Sequence, residues 1–172
     1  MKISPFRIIV DHTCALRDAQ TGKFTFVDLL TIYLLPILTA SLSFFLSFSV
    51  TTEVYNVSVT FFGIFIALLL NMQVAVFGIY LRRWEPPTDE ILLTQRYAKL
   101  LERKLLLREV NASISYLVLI SCFALVWFLF LLMKAYTCGV WPAISVLLYA
   151  HFMLTLLMVV KRVHVLFARE YT

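Results

Sequence analysis

Four long apolar stretches limit what this chain can fold into. They run over Asp28–Phe48, Val57–Leu81, Ser113–Met133 and Trp141–Val160. Each has about the 20 residues that a helix needs to cross a bilayer. A transmembrane barrel strand would instead alternate apolar and polar residues over about 10 positions, and these runs do not alternate. The sequence therefore predicts an all-α, polytopic membrane protein with four transmembrane helices.

The composition supports lipid as the main solvent of the chain. Of 172 residues, 62% are hydrophobic and 15% are charged, whereas soluble domains have roughly half and a quarter. So short a chain has too large a surface to hide this much apolar area from water. A disordered chain, a nucleic-acid-binding domain and most soluble enzyme folds are excluded, and membrane lipid is the first expected partner.

The basic residues fall on one side of the four predicted spans. Fourteen of the fifteen Lys and Arg lie before the first span, between the second and third, or after the fourth, and Lys134 is the exception. The positive-inside rule then places both termini and the central segment in the cytoplasm. The predicted organisation is an interfacial segment 1–27, spans 28–81, a cytoplasmic helical segment 82–112, spans 113–160 and a cytoplasmic tail 161–172.

The N-terminal segment is predicted to form an amphipathic helix. Ser4 followed by Pro5 is typical of a helix start, and Gly22 is a stop signal. Apolar or weakly polar residues recur at helical spacing: Phe6, Ile9, Val10, Thr13 and Leu16. We expect this helix to lie on the inner leaflet, either as a simple anchor for the topology or as a sensor of membrane state.

The central segment is predicted to continue into the third span as one helix. Neither Gly nor Pro occurs between Thr88 and Gly139, so residues 88–133 can form a single helix with about 25 residues, or roughly 37 Å, before the membrane. Five basic residues after Thr88 face four acidic ones, whereas a lipid-binding patch would be strongly basic. One face of this segment is apolar and is predicted to dock a soluble cytosolic protein or another copy of the chain. The alternative is that the segment folds back on its own chain. The residues of this apolar docking face are Leu93, Tyr97, Leu100, Leu101 and Leu105.

The second span carries polar residues on two faces. A stripe of small residues with one amide falls within about 120° of the helix surface: Gly63, Ala67, Asn71, Ala75 and Gly78. Gln73 follows Asn71 by two residues and so faces the other way. Because an amide facing lipid is costly, both faces should touch protein. This predicts a homo-oligomer in which a neighbouring subunit covers one of them.

Two further positions within the spans, Pro36 and His151, leave polar groups that need hydrogen-bond partners. Pro36 frees a backbone carbonyl one turn back, which a neighbouring helix can satisfy. His151, in the middle of the fourth span, is predicted to bond to Asn71, Gln73 or a hydroxyl, with a proton relay or gate as the alternative role. Tyr116 is expected at the inner membrane interface, where aromatic residues concentrate.

No residue pattern indicates catalysis. No nucleotide loop, nucleophile motif or Cys/His metal cluster appears in the sequence, and the lone pair of His12 and Cys14 does not make a site. The middle of each span also lacks the charged residues of an ion-coupled transporter. We therefore expect no enzyme activity, no cofactor, no metal and no direct contact with nucleic acid.

Three segments carry a resemblance to a known group of proteins. They are DAQTGKFTFVDLL before the Pro-bearing first span, NMQVAVFGIYLRR at the end of the second, and REVNASISYLVLIS leading into the third. The plan resembles small bacterial four-span proteins of antiphage defence, above all the membrane subunit of the Kiwa system. The resemblance implies an oligomeric inner-membrane sensor that holds a soluble, DNA-associated effector at the cytoplasmic face.

Two other roles stay open at the level of sequence. A pore or channel effector would depolarise the cell through an oligomer lined by polar residues of the spans: Ser43, Ser47, Asn71, Gln73 or His151. An assembly factor for a larger membrane complex would instead bind other integral subunits. The primary hypothesis is a sensor and scaffold subunit that docks a cytosolic partner.

Overall fold

The computed structural model describes residues 5–15, 26–81, 90–134 and 139–170, with the side chains of 5–13, 30–81, 101, 103–134 and 139–164. The described residues form helices and no strand, which confirms the all-α class. The helices are α1 (Pro5–Ala15), α2 (Phe26–Phe45), α3 (Thr52–Leu81), α4 (Glu90–Lys134) and α5 (Val140–Glu170). The predicted stop at Gly22 lies outside the described residues.

Three of these helices are long and apolar enough to cross a membrane. Within the described residues they are Thr52–Leu81, Arg103–Lys134 and Val140–His164, while the apolar part of α2, Leu30–Phe45, is shorter. Large apolar side chains are exposed along all of them, among them Leu38, Val57, Val126 and Leu157. A soluble monomer rarely exposes such extended apolar surface. The fold is that of a membrane protein.

The link between α2 and α3 is shorter than predicted. The backbone turns through Ser47, whose φ is 49°, and α3 begins at Thr52, five residues before the predicted start at Val57. Glu53 lies in the first turn of α3, where a carboxylate stabilises the positive end of the helix. The predicted span followed the apolar residues alone, so it begins after this polar first turn of the helix.

Helices α4 and α5 both extend beyond their apolar parts. Helix α4 runs without a break over 45 residues, about 68 Å at 1.5 Å per residue. Gly139, with a φ of 83°, precedes α5, which continues to Glu170. Most of the predicted tail 161–172 is therefore helical.

Helix α4 is the centre of the packing, because it contacts α1, α3 and α5, while α2 packs on α5. Aromatic rings fill the space between α3, α4 and α5: the ring centroid of Phe62 lies 5.6 Å from that of Phe128 and 5.2 Å from that of Phe152. All three side chains are buried. Since lipid supplies no hydrophobic drive between helices, such close packing has to hold them together.

Candidate functional site

Among the described residues, His12 on the short helix α1 is a buried polar group with an unusual environment. Its side chain is fully buried, and its ring lies face to face on Tyr116 of α4, with centroids 3.9 Å apart and 7° between the planes. Phe6 and Val10, on the other side of α1, are exposed. Helix α1 thus turns a histidine toward the protein and its apolar residues outward, where lipid can cover them.

Tyr116 connects this stack to the rest of the bundle. Its hydroxyl lies 2.8 Å from Nε2 of His151 on α5, and Nδ1 of His151 lies 3.2 Å from the Ile32 carbonyl of α2. Both Tyr116 and His151 are buried. Tyr116 is thus covered by α1 rather than exposed on the surface of the bundle.

The hydrogen bonds assign the tautomer of His151. A carbonyl can only accept, so Nδ1 carries the proton that it donates to Ile32, and neutral Nε2 accepts from the Tyr116 hydroxyl. The Ile32 carbonyl is the one that Pro36 leaves without an i+4 amide donor in α2. The predicted hydroxyl partner of His151 is therefore present as Tyr116, and the carbonyl that Pro36 frees is satisfied by α5.

The surroundings of His12 favour its neutral form. The pKa of His12 is lowered to about 4, first by burial and then by the positive charge of the nearby Arg162. Neither ring nitrogen has a hydrogen-bond partner among the described residues. Arg162 itself forms an ion pair with Glu109, 3.6 Å between Nη1 and Oε2.

We refer to His12, Tyr116 and His151 as the histidine–tyrosine cluster. It joins α1, α4 and α5, and through the Ile32 carbonyl it also joins α2. Tyr33 of α2 closes one side, with its ring centroid 5.5 Å from that of His151. Within the described part of the chain no three His, Cys, Asp or Glu side chains lie close enough to hold a metal ion. The arrangement can position helices and respond to protons.

The amides of Asn71 and Gln73 in α3 point in opposite directions. Gln73 donates from Nε2 to Ser115 Oγ of α4 at 2.6 Å, and that hydroxyl donates to the Asn111 carbonyl at 2.9 Å. Asn71 is exposed on the opposite face, about 200° around the helix from Gln73. Gln73 is thus satisfied within the chain and Asn71 is not covered by it.

The small residues on the same face of α3 as Asn71 differ in their exposure. Ala67, Ala75 and Gly78 are exposed. Gly63 is half-buried, and a Cβ added there would lie 4.0 Å from Leu125 of α4. Gly63 is therefore at the edge of the contact with its own chain, while the rest of the predicted stripe forms an outward face.

The structure describes only some of the side chains on the apolar face of α4 that is predicted to dock a partner. Leu101 and Leu105, one turn apart on α4, are 56% and 48% exposed. Leu93 and Tyr97 belong to the same helix, as does Leu100, but their side chains lie outside the described residues.

Sequence reasoning missed His12. Helical periodicity places His12 on a different face of α1 from Phe6 and Val10. A prediction based only on apolar residues assigns that face to water. The contact joins residues 104 positions apart, and helical periodicity carries no information on such pairs.

An all-helical membrane protein with a buried polar cluster at a four-helix junction is the class that this fold and site define. Comparison with protein-family models, curated proteins and solved structures finds no match.

Proposed function

We propose that this protein is an oligomeric sensor and scaffold subunit of the bacterial inner membrane, which docks a soluble cytosolic effector in antiphage defence. The observation that carries the proposal is the length of α4 together with the exposed leucines on its first half. The architectural resemblance to the membrane subunit of the Kiwa system suggests the biological setting.

The length of α4 favours a part outside the bilayer. About 68 Å of helix is roughly twice the 30 Å of a hydrocarbon core. The charged residues of α4 concentrate before Asn111 and include Arg103, Lys104 and Arg108, so this is the half that leaves the membrane. With α2 as a fourth span, both termini and this half of α4 share the basic, cytoplasmic side.

Leu101 and Leu105 then form an apolar surface in water. They are exposed and lie four residues apart, so their side chains are neighbours on one face. The segment has five basic and four acidic residues after Thr88, a balance that gives an anionic bilayer little to attract. A soluble protein with a complementary apolar surface is the partner that fits this face.

The outward face of α3 supports a homo-oligomer. Asn71 lies 10 residues before the end of α3 at Leu81, about 15 Å from that end and so near the middle of a bilayer. Its amide is not buried by its own chain. Because the same amide on a second copy can both donate and accept, a second subunit satisfies it at the least cost, with Ala67 and Ala75 permitting close approach.

The geometry favours this role over a pore. His151 is buried and bonded to Tyr116 and the Ile32 carbonyl, and Gln73 is bonded to Ser115. Asn71 faces the other way, and Ser47 lies in the turn after α2. Of the five residues that would have to line one pathway, Gln73 and His151 are engaged within the chain, and Asn71 and Ser47 lie on separate parts of the surface.

The docking surface is tested by substitution on the full-length, tagged protein in mild detergent. Leu101→Glu with Leu105→Glu should abolish recovery of the soluble partner, whereas Leu101→Met with Leu105→Met, which keeps an apolar surface, should retain it. The particle mass of the membrane subunit should be equal in both variants. Equal partner recovery from the Glu and Met variants would contradict the docking role.

A further inference from the structure

Helix α1 is attached to the protein through an unusual contact. Among the described elements it packs on α4 alone, and His12 is the one fully buried side chain among residues 5–13, whose side chains the structure describes. The apolar residues Phe6, Ile9 and Val10 do not contribute to that attachment, since they are exposed. Among the described side chains of α1, His12 therefore makes the most deeply buried contact, and Ile8 adds a half-buried one.

The docked position has no place for a second proton on His12. Neither ring nitrogen meets an acceptor among the described residues, and the face of the ring is covered by Tyr116. The cation that acts on the ring is Arg162 of α5, whose partner is the Glu109 carboxylate of α4, while His151 of α5 is neutral in its two hydrogen bonds. A protonated His12 would be a buried cation beside another cation.

The released position is available to the same helix. Phe6 and Val10 lie about 120° and about 160° around α1 from His12, so α1 can lie on a bilayer surface with these two side chains in lipid and His12 toward water. Release would also uncover Tyr116, and through its hydroxyl the bond to His151. The contact that α1 covers is thus the one that joins α4 to α5 and α2.

We propose that α1 is a proton-sensitive latch, docked on α4 through the neutral imidazole of His12 and released onto the lipid surface when that imidazole is protonated. This goes beyond the docking of a soluble partner, since it assigns a stimulus and a moving element. It holds whichever partner the Leu101 and Leu105 surface binds.

The latch is tested by distance measurement between spin labels on the full chain in phosphatidylcholine nanodiscs. The native cysteines are replaced by Ser, and labels are placed at Val10 and Lys161, both of which are exposed. Two populations, docked and released, are counted between pH 7.5 and pH 5. An Ile8→Ala background, which weakens a half-buried contact of α1, brings both populations into the measurable range.

The ratio of docked to released α1 should fall about 30-fold between pH 7.5 and pH 5, as linkage requires for a group whose pKa differs between the two positions. His12→Phe, which keeps a ring on Tyr116 and has no proton to gain, should hold α1 docked at both pH values. His12→Lys should release it at both. His151 and His164 are retained in these variants, so they control for other histidines.

Two results would overturn the latch. One is a ratio that does not change with pH in the Ile8→Ala background, where both populations are visible. The other is a His12→Phe variant whose ratio follows the unsubstituted protein.

Discussion

His151 satisfies the backbone carbonyl that Pro36 leaves free. The ring of Pro36 replaces the amide that would otherwise bond to the Ile32 carbonyl, and Nδ1 of His151 lies 3.2 Å from that oxygen. A helix defect in α2 and a polar side chain in α5 are therefore two parts of one contact.

This pairing predicts non-additive substitutions. His151→Phe leaves both the Ile32 carbonyl and the Tyr116 hydroxyl unpaired, at about 1–3 kcal/mol for each buried group. Pro36→Ala restores an amide donor within α2, so His151→Phe should cost about 1 kcal/mol less in that background. Unfolding of the four proteins in a detergent titration measures the difference. Additive effects of the two substitutions would show that the carbonyl contact contributes nothing.

The hydrogen bond between Gln73 and Ser115 can be tested by a second double-mutant cycle. Ser115→Ala leaves the Gln73 amide without its partner and should destabilise the subunit by about 0.6–1.7 kcal/mol. Gln73→Leu with Ser115→Ala removes both groups, so the double variant should be closer to the unsubstituted protein than Ser115→Ala is. If the double variant has the lowest unfolding stability of the set, the hydrogen bond between Gln73 and Ser115 does not contribute to the stability of the subunit.

Asn71 and Gln73 offer a matched pair for the oligomer. Asn71→Leu and Gln73→Leu make the same chemical change on opposite faces of α3. We expect Asn71→Leu to lower the particle mass in mild detergent, since only that amide faces away from its own chain. Gln73→Leu should leave the mass unchanged. The outward face would have no role in assembly if both variants kept the full mass.

The stability of α1 docking should depend on pH in one direction. The pKa of His12 is lowered to about 4 from 6.5, so docking stability is fully present above pH 6.5 and is lost as pH falls toward 4. The loss is about 1.4 kcal/mol per pH unit within that window. Thermal unfolding at pH 7.5 and pH 5 should show a stability gap between the unsubstituted protein and His12→Phe that widens at pH 5 in favour of His12→Phe. A gap that is constant with pH would contradict the assigned pKa.

The sequence predicts the helical class because apolar runs and charges report directly on lipid and water. It also predicts that Pro36 needs a donor and that Gln73 and Asn71 face apart, since both follow from the local geometry of one helix. It does not predict which helix supplies a donor. His151 therefore had several predicted partners, including Asn71 and Gln73, of which only a hydroxyl is used.

The histidine–tyrosine cluster escaped prediction for a related reason. From the sequence, Tyr116 is an aromatic residue near the end of a span, which is typical of an interface anchor. His12 is a polar residue on an amphipathic helix, which is typical of a side chain that faces water. Each is covered only because α1 packs on α4, a contact between distant parts of the chain. Periodicity identifies the apolar face of α1 but does not state that the opposite face is the buried one.

The central claim, an oligomeric membrane scaffold with a soluble partner, is tested most directly by the mass of the purified particle. Native mass spectrometry of the tagged protein, extracted in mild detergent from its native cells, gives the number of subunits and the mass of any bound partner together. We expect at least two copies of the 19.9 kDa chain and a water-soluble protein that is absent when Leu101 and Leu105 are changed to Glu. A particle of one chain, with no protein that depends on those leucines, would contradict it.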